Sequence, residues 1–167
     1  NEAVRFNQPG ADSVALSRVV GGNPSIILGQ LTANGQIFLL NSQGVVFGEG
    51  SQVDVGGLVA GTLNMETSDF LAGTYVFKAD GATGSVLNAG DISAAEGGYV
   101  VLLGAEVTNE GVVTAAMGNV ALLSGDAVTL DFDGDGLLSY AIDESALSAL
   151  VENRGVIRAD GGLVVMA

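Results

Sequence analysis

Three stretches share one register: Asn88-Ala89-Gly90-Asp91-Ile92-Ser93-Ala94, Asn109-Glu110-Gly111-Val112-Val113-Thr114-Ala115 and Asn153-Arg154-Gly155-Val156-Ile157-Arg158-Ala159. Each leads within a few residues to Gly and a Val-containing run: Gly97-Gly98-Tyr99-Val100, Gly118-Asn119-Val120 and Gly161-Gly162-Leu163-Val164. The first two copies lie 21 residues apart and the third lies 44 further on, two periods plus a small insertion. A fixed period of this length signals a solenoid whose units each pack only on their neighbours. The physical reading is an all-β chain wound into a parallel β-helix with coils of about 21 residues. Its coils hydrogen-bond in register and pile their apolar side chains into a central column. Asn recurring at one point of successive coils can form a side-chain ladder that satisfies its own buried amides. Gly recurs where the chain turns or where one backbone approaches another closely.

The rest of the chain has the same texture. Short β-favouring runs alternate with Gly, Asn, Asp and Ser: residues 14–16, 25–28, 36–40, 44–47, 52–55, 58–60, 74–77, 99–103, 119–123 and 127–130. Runs of this length bounded by turn formers predict strands. Several are apolar without alternation, as in strands buried on both faces. About seven coils stacked at roughly 4.8 Å predict a rod about 34 Å long. A β-sandwich is the alternative; it needs hairpins, and Asn34-Gly35 is the only Asn-Gly pair. One segment reads as a helix, residues 144–152. Asp143 is a candidate cap, Glu144 suits the first turn, and Ala146, Leu147, Leu150 and Val151 form a stripe. It is expected on the flank of the rod, inserted between coils.

Composition limits the chemistry. The 167 residues suffice for a single domain with a substantial core, and 48% apolar against 14% charged residues excludes a disordered tail. With 19 acidic and 5 basic residues the net charge is −14, which opposes binding to nucleic acid or to an anionic membrane surface. The chain has no His and no Cys. Thiolate nucleophiles, Ser-His-Asp triads, disulfides and ordinary zinc sites are therefore excluded. No apolar stretch is long enough to cross a bilayer as a helix, so membrane insertion is not expected. The glycine pairs Gly56-Gly57 and Gly97-Gly98 lack the Lys and Ser/Thr of a phosphate loop and recur at turns. Phe38, Phe47, Phe70 and Phe77 read as core stacks rather than a carbohydrate platform. The chain starts at Asn1 with no Met and no apolar leader, and reads as a processed piece.

Asp131-Phe132-Asp133-Gly134-Asp135-Gly136 has the alternate-carboxylate spacing that opens a calcium loop. Asp131, Asp133 and Asp135 are the candidate metal ligands. The loop does not finish, because Ile142 occupies the position of the closing Glu, with Glu144 two residues late. A solvated acidic turn is the competing reading, and no cofactor other than calcium is suggested.

Residues 23–63, from Asn23-Pro24-Ser25-Ile26-Ile27-Leu28 to Gly57-Leu58-Val59-Ala60-Gly61-Thr62-Leu63, resemble the two-partner-secretion domain at the N-terminus of filamentous-haemagglutinin-like exoproteins of Gram-negative bacteria. The resemblance extends more weakly over nearly the whole chain. The family's Asn-Pro-Asn-Gly-(Ile/Val/Leu) turn matches Asn41, Gly44 and Val45, while Ser42 and Gln43 depart from it. An intact Asn-Pro-Asn-Leu, the family's other short motif, is missing.

The resemblance implies a right-handed parallel β-helix without enzymatic activity, secreted through the periplasm to the cell surface or medium. It implies a partner outer-membrane β-barrel with periplasmic recognition domains, to which this domain addresses the exoprotein while templating the folding of a longer repeat region. It also implies that residues 1–167 form one β-helix domain of a longer exoprotein, with the N-terminal cap partly missing. Contact with a host or neighbouring cell would come from the downstream region. Residues 41–45 are then either a transporter-recognition element or simply a turn. A standalone surface-binding rod and a carbohydrate-active β-helix enzyme working with carboxylates alone are the other functional readings.

Overall fold

The computed structural model describes residues 2–133 and 136–167. The chain winds as a parallel β-helix of three sheets. The first sheet stacks β1 (Ala3–Phe6), β4 (Gln30–Ala33), β7 (Gln52–Val55), β11 (Asp91–Ala94), β14 (Val112–Ala115) and β19 (Val156–Arg158). The second stacks β2 (Val14–Arg18), β5 (Gln36–Leu40), β8 (Gly57–Gly61), β12 (Tyr99–Gly104), β15 (Asn119–Ser124) and β20 (Leu163–Met166). The third stacks β3 (Ser25–Ile27), β6 (Val45–Phe47), β10 (Val86–Asn88), β13 (Glu106–Asn109) and β18 (Leu150–Asn153). Each coil visits the three sheets in that order, and every pairing within them is parallel. The ten runs expected as strands all lie in or over strands.

The stack has six coils rather than seven. With rungs about 4.8 Å apart it rises about 24 Å from first to last. The residues that inflated the count leave the helix in two insertions, both at the corner between the second and third sheets. One follows β8 and carries α1 (Thr67–Ala72) and β9 (Tyr75–Lys78); the other follows β15 and carries β16 (Ala127–Asp133) and β17 (Gly136–Glu144). They join in one antiparallel sheet ordered β17-β16-β9 that lies over the second sheet.

The second insertion corrects the helix expected at residues 144–152. Glu144 ends β17 opposite Ala127, and Leu150 begins β18 opposite Glu106. Five residues remain between them, enough for a turn only, and Leu147 is fully exposed. The apparent stripe arises because Val151 points into the core from a strand. The short helix α1 lies elsewhere and docks through Phe70, whose ring meets Phe38 edge-on at 5.9 Å.

The core follows from the register. Leu31, Val53, Ile92 and Val113 stack along the inside of the first sheet, as do Val45, Val86 and Val107 in the third. Each fully buried aliphatic side chain contributes roughly 1.5–3 kcal/mol against exposure. The second sheet is buried on both faces: Ile37, Leu58, Val100 and Val120 point inward, while Phe38, Val59, Val101 and Ala121 point outward beneath the added sheet. This double burial accounts for the unalternating apolar runs. Phe38 also contacts Tyr75, Phe77 and Phe132, so Phe38, Phe70 and Phe77 are packed together, whereas Phe47 lies in the central column.

The predicted Asn ladder is present. Asn88 Nδ2 donates to Asn109 Oδ1 at 2.8 Å, and Asn109 Nδ2 donates to Asn153 Oδ1 at 2.8 Å. Asn88 and Asn109 are fully buried. Beside the ladder, glycines allow backbone to lie on backbone: a Cβ on Gly111 would fall 2.1 Å from the Gly90 carbonyl oxygen, and one on Gly155 2.1 Å from that of Gly111.

Replacing Asn109 strands a buried donor on Asn88 and removes the partner of Asn153. Asn109→Ala is expected to cost about 1–3 kcal/mol, lowering the melting temperature by several degrees. Asn153→Ala, at an exposed rung, is expected to cost less. Thermal unfolding followed by circular dichroism checks the order; equal effects would show that burial of the ladder is unimportant.

Candidate functional site

The turn at residues 41–45 links β5 to β6 and is held by the coils on both sides. Asn41 is buried; its Nδ2 donates to the Asn23 carbonyl at 3.1 Å and to Ser25 Oγ at 2.9 Å. Its Oδ1 accepts the Gln43 N–H at 3.0 Å, the local closure that lets Asn start a turn. Gly44 has φ +129°, and a Cβ there would meet Pro24 Cβ and the Ser85 carbonyl oxygen, each at 3.3 Å. Val45 is fully buried in the central column. From the following coil, Thr83 and Gly84 donate backbone hydrogen bonds to the Ser42 carbonyl at 3.2 and 3.0 Å.

These contacts divide the five residues. Asn41, Gly44 and Val45 are consumed by the fold, whereas Ser42 is half-buried and the Gln43 side chain is exposed. The two positions that depart from the family motif are thus the two that face outward. Sequence reasoning missed residues 23–25 and 83–85 as the supports of this turn. Val86 stacks on Val45, but the insertion carrying α1 and β9 lies between them and hides the period.

Beside the turn is a cleft of about 180 Å³ that includes Arg18, Asn41, Ser42, Thr62, Asn64 and Asp80. The Arg18 guanidinium donates to the Met65 carbonyl and to Thr67 Oγ1, tying the first coil to the insertion above it.

Asp131 and Asp133 lie on β16 and are not brought into a loop. Asp131 Oδ2 accepts a hydrogen bond from Ser139 Oγ at 3.0 Å across the hairpin, and Asp133 pairs with Gly136. Asp135 lies outside the described residues. Among the described residues no group of three or more acidic side chains converges as a metal site. The Arg154 pKa is raised by its hydrogen bond and charge interaction with Glu152 and further by Glu110. Glu152 lies 2.8 Å and Glu110 3.3 Å away on an exposed corner.

The model of the TPS secretion domain family matches residues 1–167. A heme/hemopexin-binding protein of Haemophilus influenzae is 39% identical over 168 residues, covering 95% of this chain and 18% of that protein. A second heme/hemopexin-binding protein from the same species is 43% identical over 74 residues, covering 44% of this chain and 8% of that protein. The chain thus spans less than a fifth of the length of these curated relatives. The crystal structure of the HMW1 secretion domain from Haemophilus influenzae superposes with a TM-score of 0.88 at 28% identity. That likeness covers 99% of this chain and 46% of the other.

The split within the turn is measurable. Asn41→Ala leaves the Gln43 N–H and Ser25 Oγ without their partner and is expected to destabilise by about 1–3 kcal/mol. The double variant Ser42→Ala/Gln43→Ala is expected to stay within about 0.5 kcal/mol of the parent. Urea denaturation of the purified chain compares them; a double variant as unstable as Asn41→Ala would refute the division.

Proposed function

The chain belongs to the TPS secretion domain family, and on that premise we propose how it performs its task. It is the secretion domain of an exoprotein that leaves a Gram-negative cell by way of the periplasm. Its partner is an outer-membrane transporter, engaged on the periplasmic side through that protein's recognition domains. The domain addresses the exoprotein to this pore, with Ser42 and Gln43 of the turn available for contact and Asn41, Gly44 and Val45 holding them in place.

The observation that carries this reading is the full-length family match laid on a stack whose rungs close in chain order. Each coil offers its backbone groups and its Asn to the next, as β10 does to β13 and β13 to β18. A solenoid of this kind can grow from one end, since a coil needs only its neighbour. The same property makes the domain a template for chain that follows it, so that folding beyond the pore opposes back-sliding. Function lies in shape and edge hydrogen bonding rather than in bond-making chemistry. The acidic surface keeps an apolar-cored rod soluble.

Co-expression tests the assignment. The exoprotein is expected in the medium when its partner transporter is present and in the periplasm when the transporter is deleted. Equal release in both strains would overturn it. With the transporter present, Ser42→Ala/Gln43→Ala is expected to reduce export while leaving the domain folded; undiminished export would leave the turn a purely structural element.

A further inference from the structure

The outer surface of the third sheet changes character along the rod. One outward column runs Ile26, Val46, Leu87, Thr108, Glu152 by strand register. A second runs Leu28, Gly48, Ala89, Glu110, Arg154, following the backbone bonds from Gly48, Ala89, Glu110 and Arg154 to the preceding coils. Both are apolar over coils one to three; in coils four and five the first carries Thr108 and Glu152 and the second Glu110 and Arg154. Residues 23–28, 43–48 and 83–89, which build the first half, contain no ionisable side chain in a chain of net charge −14. Ile26 is 59% and Leu28 67% exposed, and Leu28 lies over Gly48, where a Cβ would fall 2.4 Å from its Cδ2.

A contiguous apolar area on an otherwise acidic surface marks an interaction site more than scattered exposed residues do. At its coil-one border Glu2 and Glu49 share a hollow with Leu28. Glu110 and Glu152 below it are already paired with Arg154. The turn at residues 41–45 adjoins the same area, since Val45 and Val46 continue from it into β6.

We propose that the third-sheet surface of coils one to three is the face on which the partner transporter docks, and that the transporter presents an apolar ridge flanked by Lys or Arg. This rests on the reading of the chain as a domain recognised by such a transporter, and it extends the contact from the turn to the sheet beside it. Charge complementarity selects this occupant: cations flanking the ridge would meet Glu2 and Glu49. A second copy of the chain would instead bring two acidic borders together at −14 each.

The experiment measures binding of the 167-residue chain to the periplasmic portion of its cognate transporter, with export of the full exoprotein in parallel. Ile26→Asp/Leu28→Asp is expected to weaken binding at least about tenfold, as loss of central apolar anchors does, and to reduce export. Its melting temperature should not change, because both side chains are exposed. Thr108→Asp, on the same column in coil four, is expected to bind as the parent does. Should the Asp pair destabilise the fold, Leu28→Ser and Val46→Thr provide a milder pair with the same expected order.

Parental binding and export by a folded Ile26→Asp/Leu28→Asp chain would overturn the proposal, as would equal losses from Thr108→Asp. It would also be overturned if sedimentation showed a dimer of the parent that the pair dissolves while transporter binding persists. Failure of the parent itself to depend on the transporter for export would overturn the underlying reading instead, so the two failures are distinguishable.

Discussion

Parallel stacking in register forces each residue to lie directly on its counterpart one coil away, and most of the molecule follows from that constraint. An Asn tolerated once in the interior is tolerated repeatedly, because its neighbour supplies the missing partner. Asn88, Asn109 and Asn153 therefore form a chain of amides in which the buried Asn88 and Asn109 are not left as separate polar groups. The same constraint makes Gly90, Gly111 and Gly155 interdependent, since a side chain on any later member would strike the carbonyl of the one before. The ladder starts only at the third coil. In the second coil its place is taken by Phe47, and in the first by Ile27. The column thus changes from apolar to amide along the rod, and the outer surface of the same sheet changes from apolar to charged beside it.

The two insertions show how a solenoid acquires long-range cohesion. Coils that touch only their neighbours give a sum of local stabilities. Here β9 leaves within the third coil and β16 within the fifth, and the two pair over the second sheet. The aromatic cluster beneath them draws Phe38 from coil two, Tyr99 from coil four and Phe70, Tyr75, Phe77 and Phe132 from the insertions. Tyr99 also donates its hydroxyl hydrogen bond to Gln36 Oε1 at 2.6 Å, across the third coil. The added sheet binds coils that share no direct strand pairing. It leaves the first and third sheets uncovered, and the third bears the turn at residues 41–45.

That turn illustrates how a motif can be legible while its division of labour is not. Asn41, Gly44 and Val45 stood out through their match to the family's turn motif, and the structure gives them the work of a turn: an Asx closure, a residue at φ +129° and an apolar side chain returning to the core. Nothing in the linear sequence says that Asn23, Ser25 and residues 83–85 close around it, because one of those partners follows an insertion that breaks the period. The acidic spacing at Asp131 and Asp133 has two readings for a related reason. Alternating acids suit a metal loop, but they equally suit the outward positions of a strand, and pairing with β17 made Asp131 and Asp133 strand residues.

By itself the sequence determined the winding. A repeat of Asn, Gly and β-branched residues at a period of about 21 carries its own stacking rule, since each unit must match its neighbour and so writes the contact into the spacing. Only the tertiary structure decided what became of residues 62–85 and 125–149. Their fate depends on pairing between segments about fifty residues apart, and such a pairing leaves no period behind. The stripe at residues 144–152 therefore looked helical until Glu144 and Leu150 were claimed by Ala127 and Glu106. The apolar half of the third sheet was likewise invisible, because Ile26, Val46 and Leu87 become one surface only when three coils are laid side by side.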